Sequence, residues 1–334
     1  MKVLSPVHFN PNAGTHPKHG GSGSSGGGYS PWAPSYDTWG YRFPVTLGST
    51  GIVETDKGFP FLVPARAGMA VDGSDLRVAD ALGADVPTIL MGSMVSGFGL
   101  AVKASIPVTG KQLYVYYDKT TTAAADSFAK IHEPWNDLTN VTPSGATPPS
   151  VSGNILTLTG ALARADLTTP VACGDNTIMV VGMKCDTTVK AMRNGLFGQT
   201  PSANVEFQTE WGGTKWQLLA ADSGSLPAAY SDWVPANTWQ WLVMARYPDT
   251  NLVLAGLDFK GVGNIDYGVG VKYLDTPFYS RISASYCSNA CATNTFVLKN
   301  DNVSVTNRQY SPVFVFETGQ RPPLVTFGES EAHA

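Results

Sequence analysis

The sequence predicts an all-β protein: a small β-sandwich followed by a larger one, with extended arms at both ends. Three observations carry this. Charged residues are only 14% of the 334, well under the usual quarter, while Gly (35) and Pro (23) are plentiful. The apolar runs are strand-length and bounded by Gly, Pro or Asp. Two of them, Thr177–Met183 and Trp239–Ala245, are continuous enough to be central strands of a two-sheet core.

A net charge of −4, with no basic cluster or stripe along the chain, argues against a nucleic-acid or anionic-membrane partner. Surfaces poor in charge suit sugar binding or assembly with like subunits. No run approaches 18 apolar residues, so no membrane-spanning helix is expected. Pro6, His8 and Asn10 interrupt the start, which leaves no apolar core for a secretion signal.

Residues 1–36 read as an arm. Gly20–Gly28 is almost all Gly and Ser and cannot bury enough surface to offset its ordering entropy. His16 and His19 supply only two metal ligands and read as part of a solvated arm. Tyr29, Pro31, Trp32, Pro34 and Tyr36 form a semi-rigid lead. Residues 37–122 make the small domain, with strands near 41–47, 59–65, 75–79, 86–92, 98–106 and 112–118. Asp72, Gly73 and Gly83 supply turns, and Pro64, Pro87 and Pro107 sit at strand ends. In the last strand Leu113, Val115 and Tyr117 alternate with Gln112, Tyr114 and Tyr116, which predicts a half-buried strand with one aromatic-polar face.

Residues 123–152 read as a connector, with Phe128, Ile131 and Trp135 available to pack back on a domain. Residues 153–315 hold the second strand set, near 154–159, 177–184, 195–199, 204–210, 215–221, 239–246, 252–258, 279–286 and 295–305. Residues 316–334 form an extended tail with Glu329 and Glu331 near its end, suited like the arm to reaching a neighbour.

Trp39-Gly40-Tyr41-Arg42-Phe43-Pro44-Val45, Gly73-Ser74-Asp75-Leu76-Arg77-Val78 and Leu113-Tyr114-Val115-Tyr116-Tyr117 together resemble an uncharacterised β-domain family of bacterial, archaeal and phage surface proteins (domain of unknown function 2341). That family often precedes a concanavalin-like, laminin-G-like jelly roll. The resemblance covers about residues 39–119, and departs at Asp118-Lys119, where the family commonly has Asn or Gly. The run Asp301-Asn302-Val303-Ser304-Val305-Thr306-Asn307-Arg308 is similar to the closing strand and turn of concanavalin-like jelly rolls. The resemblance implies a jelly roll for the second domain and a non-catalytic surface module for the first, with no catalytic residues to carry over.

The catalytic candidates are Glu206 and Glu210. In Glu206-Phe207-Gln208-Thr209-Glu210 a strand would bring Glu206, Gln208 and Glu210 to one face, similar to the Glu-x-Asp-x-Glu run of concanavalin-like glycosidases. Gln208 replaces the middle carboxylate, and retaining chemistry needs carboxyl groups about 5–5.5 Å apart. A polar strand face is the favoured reading. A Ser-His-Asp arrangement has only His132 near folded sequence.

Sugar binding is the better site chemistry, because pyranose faces stack on aromatic rings while Asp, Asn and Gln meet hydroxyls. Trp211, Trp216, Tyr230 and Trp233 lie beside loops that hold Asp222, Asp249 and Asn251, and these seven are the ligand-binding candidates. Trp239 and Trp241 sit in an apolar run and read as core. Cys173, Cys185, Cys287 and Cys291 read as structural thiols or one or two disulfides, with no His nearby for zinc. No metal and no cofactor is expected.

The whole reads as a non-enzymatic structural virion protein of a bacteriophage, a decoration, fibre or adsorption component at the virion surface. Its arm and tail would hold neighbouring subunits in a homo-oligomer, and host-surface polysaccharide is a further partner. An extracellular carbohydrate-binding adhesin is the alternative, and a glycosidase the third.

Overall fold

Four β-sheets stack in the computed structural model, which describes residues 32, 34–94, 97–120, 126–145, 147–159, 163–169, 171–172, 176–185, 192–198, 204–209, 215–221, 229–233, 237–247, 252–257, 278–281, 293–300, 307–320 and 323–333. Sheet A holds β1 (Tyr41–Leu47), β3 (Arg77–Asp80), β6 (Lys111–Tyr117), β23 (Val325–Phe327) and β24 (Glu331–Ala332). Sheet B holds β2 (Glu54–Val63), β4 (Thr88–Met94) and β5 (Gly97–Ile106). Sheet C holds β7 (Ile131–Glu133), β9 (Ser150–Ser152), β10 (Ile155–Thr159), β13 (Thr177–Cys185), β18 (Gln240–Tyr247), β19 (Leu252–Leu257), β20 (Phe278–Arg281) and β22 (Asn307–Glu317). Sheet D holds β8 (Val141–Ser144), β11 (Arg164–Leu167), β12 (Val171–Ala172), β14 (Met192–Gly198), β15 (Asn204–Thr209), β16 (Lys215–Ala221), β17 (Ala229–Trp233) and β21 (Thr293–Asn300). The all-β, two-sandwich expectation holds.

Sheets A and B enclose the first core. Phe43, Val45, Leu47, Leu113, Val115 and Tyr117 from sheet A meet Phe59, Phe61, Val63, Leu100 and Val102 from sheet B. Sheet B is apolar on its other face too. Leu62, Ile89, Met91, Met94 and Ala101 pack on Ile178, Val180, Trp241, Val243, Phe314 and Phe316 of sheet C. Burial on both faces explains why β2 reads Phe-Pro-Phe-Leu-Val without alternation. The far face of sheet C carries buried Met179, Val181, Leu242, Tyr310, Val313 and Leu156, and sheet D contributes buried Ala163, Ala165 and Leu167 to the second sandwich.

The tail differs from the expectation of a segment reaching a neighbour. Residues 316–317 finish β22, a central strand between β13 and β10. Residues 325–332 then return to sheet A: β23 pairs with Val45–Leu47 and β24 with Tyr41 and Arg42. The two short strands leave a gap opposite Pro44, which has no N–H to offer a ladder; instead the Pro44 carbonyl accepts from the Gly328 N–H at 2.9 Å. The tail thus covers the β1 edge of its own chain.

The arm boundary also moves. Pro34–Tyr36 form a 3-10 turn, Tyr36 is buried, and its ring stacks on Tyr116 at 4.0 Å. Trp32 and Trp39 complete this cover, so the aromatic face of β6 is buried rather than solvent-facing. The segment expected as a connector is likewise built in: β7 pairs with β22, β8 with β11, and β9 with β10. Trp135 is fully buried and donates its ring N–H to the Ser311 carbonyl, while Ile131 and Phe128 pack back as expected.

The signature residues gather at one end of sheet A. The buried Asp75 carboxylate accepts from the Ala70 and Asp118 backbone N–H groups at 3.0 and 2.9 Å. Asp118 has φ +66°, a left-handed conformation that Gly and Asn tolerate best.

Candidate functional site

The predicted strand 204–210 is observed as β15, and register decides what lies beside it. Gln208 pairs with Arg193 on β14 and Gln217 on β16, and Gln217 pairs with Tyr230 on β17. In the other direction Arg193 pairs with Lys299 on β21, and Lys299 with Arg164 on β11. These residues therefore form one transverse row, Arg164–Lys299–Arg193–Gln208–Gln217–Tyr230, crossing six strands. At about 4.8 Å between strands the row is roughly 24 Å long. The neighbouring row of equal parity runs Asp166–Val297–Gly195–Glu206–Leu219.

Burial on β11 tells the two faces apart. Ala165 and Leu167 are buried, whereas the Arg164 and Asp166 side chains keep 34% and 23% of their exposure. The rows of Arg164 and Asp166 thus belong to the outer face of sheet D, and the row Ala165–Leu298–Asn194–Phe207–Leu218 to the core. Arg164 and Asp166 form a two-pronged ion pair, with Nη2 2.6 Å from Oδ2, the geometry in which guanidinium and carboxylate match best.

Against this frame the candidates separate. By register Tyr230 shares the row of Gln208 and Gln217, Glu206 the row of Asp166, and Trp233 pairs with Lys215 beyond an irregularity. Trp216 pairs with Thr209 and takes the parity of Leu218, the core one. Trp211, Asp222, Asp249, Asn251 and Glu210 lie outside the described residues, as do Cys173, Cys287 and Cys291. The other carboxylate in the row of Glu206 is Asp166, three strands away or roughly 14 Å. Trp241 is fully buried in the core, as expected, with Trp239 packed against the same cluster.

Arg164, Arg193, Lys299 and Gln217 were not legible as a site. Residues 164, 193 and 299 are far apart in sequence, and only the strand order makes them neighbours.

A second polar cluster lies on the outside of sheet A. Arg42, 2% exposed, donates from Nε to Glu331 at 2.8 Å and stands over Trp32 and Tyr114 at 5.1 and 4.4 Å. Trp32 also meets His333 edge to face at 4.5 Å. Burial and the hydrogen bond that Tyr36 donates to Asp85 push the Tyr36 phenol well above its ordinary value. His132, weighed as a catalytic base, stacks on Phe314 at 4.5 Å; desolvation lowers its pKa, with Glu133 opposing. No partner Ser or Asp accompanies it among the described contacts.

No protein-family model and no curated protein matches the chain. Among solved structures it is similar to the CBM2 module of the evolved Dit protein of Lactobacillus casei BL23 phage J-1, at 10% identity and TM-score 0.39 over 57% of this chain and 95% of that one. It is similar to arcelin-5, a lectin-like defence protein from Phaseolus vulgaris, at 10% identity and TM-score 0.42 over 56% and 96%. A third is a structure described with endo-acting O-glycanases of the human gut microbiota that initiate mucin breakdown, at 7% identity and TM-score 0.41 over 57% and 100%. At these scores the likenesses carry no function across to this chain.

Proposed function

We propose that this chain is a non-enzymatic display protein of a bacteriophage virion, anchored to neighbouring subunits by its N-terminal arm and offering the outer face of sheet D to host-surface polysaccharide. The observation that carries this reading is the order of the layers. Trp32, Tyr36 and Trp39 cover the outside of sheet A, and sheets B and C lie behind it, on the way to sheet D. With sheets about 10 Å apart, anchor and polar face stand roughly 30 Å from each other. Register sets Gln208, Gln217 and Tyr230 at directly paired positions of sheet D, and these are residue types that meet sugar hydroxyls and ring faces. The surface-protein resemblance of residues 39–119 and the Gly-rich arm supply the setting on a particle.

The test is a truncation lacking residues 1–30, which leaves Trp32 and Tyr36 in place. It should fold with an unchanged melting temperature yet fail to enter particles, while the intact chain enters them and binds polysaccharide on a glycan array. Normal incorporation of the truncated chain would remove the anchoring role. A chain that binds glycans but never enters particles would favour the adhesin reading.

A further inference from the structure

We infer that one end of the first sandwich, formed by the turns 48–53, 81–85 and 107–110 with Leu324, is the dock for Val3–Phe9 of a neighbouring subunit's arm. The inference rests on the anchoring role proposed above and names the surface that receives the arm. It is carried by the gathering of Val53, Leu82, Val108 and Leu324 at that end.

Register brings these four together. Leu47 pairs with both Lys111 and Val325, so the turn after β1, the turn before β6 and the residue before β23 share one end of sheet A. Strand β3 runs toward the same end, because Arg77 pairs with Tyr116 and Asp80 with Leu113, and Leu82 follows Asp80. In sheet B, Glu54 pairs with Ile106, which leads into the turn of Val108, and Val53 precedes Glu54. Exposure is 64% for Val53, 91% for Leu82, and 50% for both Val108 and Leu324. The other exposed large apolar side chain among the described residues, Val71, lies in the loop beyond Val63, at the opposite end.

These turns are tied to one another. The Gly48 N–H donates to the Leu324 carbonyl at 2.7 Å, and the Ser49 hydroxyl donates to the Val108 carbonyl. The Asp80 carboxylate accepts from the Leu82 and Ala84 N–H groups, both at 2.9 Å. Gly110 has φ +86°, and a Cβ there would stand 2.8 Å from the Leu47 carbonyl oxygen, so this turn needs glycine. An apolar surface fixed in this way requires little further ordering when a partner covers it. The three turns carry one charged side chain, Asp85, and the Tyr36 hydroxyl engages it. Apolar side chains gathered on an uncharged, exposed end mark an interaction surface.

Size and chemistry choose the occupant. From Leu324 to Leu82 the end crosses three strand spacings, roughly 14 Å, and Val53 lies about 10 Å away on the other sheet. That is far less than the roughly 800 Å² each partner buries in a standard interface, and it suits a short peptide better than a face-to-face dimer. Val3–Phe9, about 23 Å long when extended, offers Val3, Leu4, Val7 and Phe9 with a single ionisable side chain, His8. Residues 10–31 separate it from Trp32, and a Gly-rich spacer of that length spans about 26 Å root-mean-square and roughly 75 Å at full stretch. Trp32 lies beside Arg42 and His333 at the Tyr41 end of sheet A, about 20 Å from the Leu47 end. The spacer exceeds that distance, which leaves length to cross to an adjacent copy.

The experiment replaces Phe9 by photo-reactive p-benzoylphenylalanine in the full chain, mixes unlabelled with heavy-nitrogen-labelled copies, and irradiates. Cross-links should join the reactive residue of one copy to turns 48–53, 81–85 or 107–110, or to Leu324, of a copy with the other label. Sedimentation measures self-association in parallel. Leu82→Ser, Val108→Ser and Phe9→Ser should each weaken it about tenfold or more with melting temperatures unchanged, while Val71→Ser should leave it as it was. Leu82→Ser combined with Phe9→Ser should weaken it less than the two losses together, because the residues touch. Cross-links only within copies of one label would place the arm on its own body and overturn the neighbour as its source. Association weakened by Leu82→Ser but not by Phe9→Ser would make the end pair with itself and overturn the arm as occupant. No self-association, while particle entry still requires residues 1–30, would overturn this dock and leave the anchoring role standing. Particle entry indifferent to residues 1–30 would overturn both.

Discussion

Trp241 of β18 lies against Gly99 of β5, so that a Cβ built at position 99 would stand 2.7 Å from the Trp241 ring. The same ring passes 3.8 Å from the position a Cβ would take at Gly92 on β4. A reciprocal contact runs the other way, where Met94 of β4 fills the space over Gly182 of β13. Sheets B and C thus interlock by knobs set over glycines, and this separate apolar layer joins the two sandwiches.

This interlock predicts the cost of filling the gap. Gly99→Ala should destabilise the protein by about 1–3 kcal/mol through overpacking, and Trp241→Ala by about 3–5 kcal/mol through the void it leaves. Urea denaturation of the two single variants and the double variant checks this. Because the sites touch, the double variant should lose less than the two losses combined.

The return of the tail to β1 makes the first domain depend on the last residues. Removing residues 323–334 would expose the β1 edge and strip Arg42 of Glu331. The truncated chain should melt at lower temperature and self-associate through the freed edge, read by thermal scanning and light scattering. Glu331→Gln alone should cost about 1–3 kcal/mol, since it removes the charged partner of a buried guanidinium.

Tyr36 ties the entering chain to the turn after β3 through Asp85. Tyr36→Phe keeps the stack on Tyr116 and should cost about 1 kcal/mol for the lost hydrogen bond. The phenol is raised in the folded state, so its contribution is full below the unfolded value of 10.0 and is lost as pH rises beyond it. Stability measured from pH 9 to 11 should fall more steeply in the unaltered protein than in Tyr36→Phe.

His132 acts at the other end of the pH scale. Its folded pKa lies below the ordinary 6.5 because desolvation, with the ring on Phe314, disfavours the imidazolium. The unfolded chain therefore binds the proton more readily, and stability present above pH 6.5 declines as pH falls through the folded value. His132→Gln should flatten the slope of stability against pH between 7 and 5, measured by denaturant midpoints.

Strand positions were readable because a strand's signal is local. The period of two in Leu113–Tyr117 and the breaks at Gly73 and Pro107 placed most ends within a few residues, and β1 and β16 were placed without error. Phe128, Ile131 and Trp135 were legible as apolar residues able to pack back, but the strands beside them were not. Tyr36, Ile131 and Trp135 lie in stretches rich in Pro, Ser and Thr, which resemble linker until a distant sheet buries them. The polar parity of Glu206 and Gln208 was legible; their neighbours were not.

An all-β chain, most of its longer strands, its buried Trp241 and the polar alternation of β15 were readable locally, because backbone pleat and apolar run length depend on adjacent residues. That β23 and β24 edge β1, that sheet B is buried on both faces, and that Arg164, Lys299 and Arg193 hold paired positions came only with the arrangement of the sheets. Those facts depend on which strands pair, and pairing is fixed by burying whole faces between residues that lie up to 289 positions apart, as Arg42 and Glu331 do.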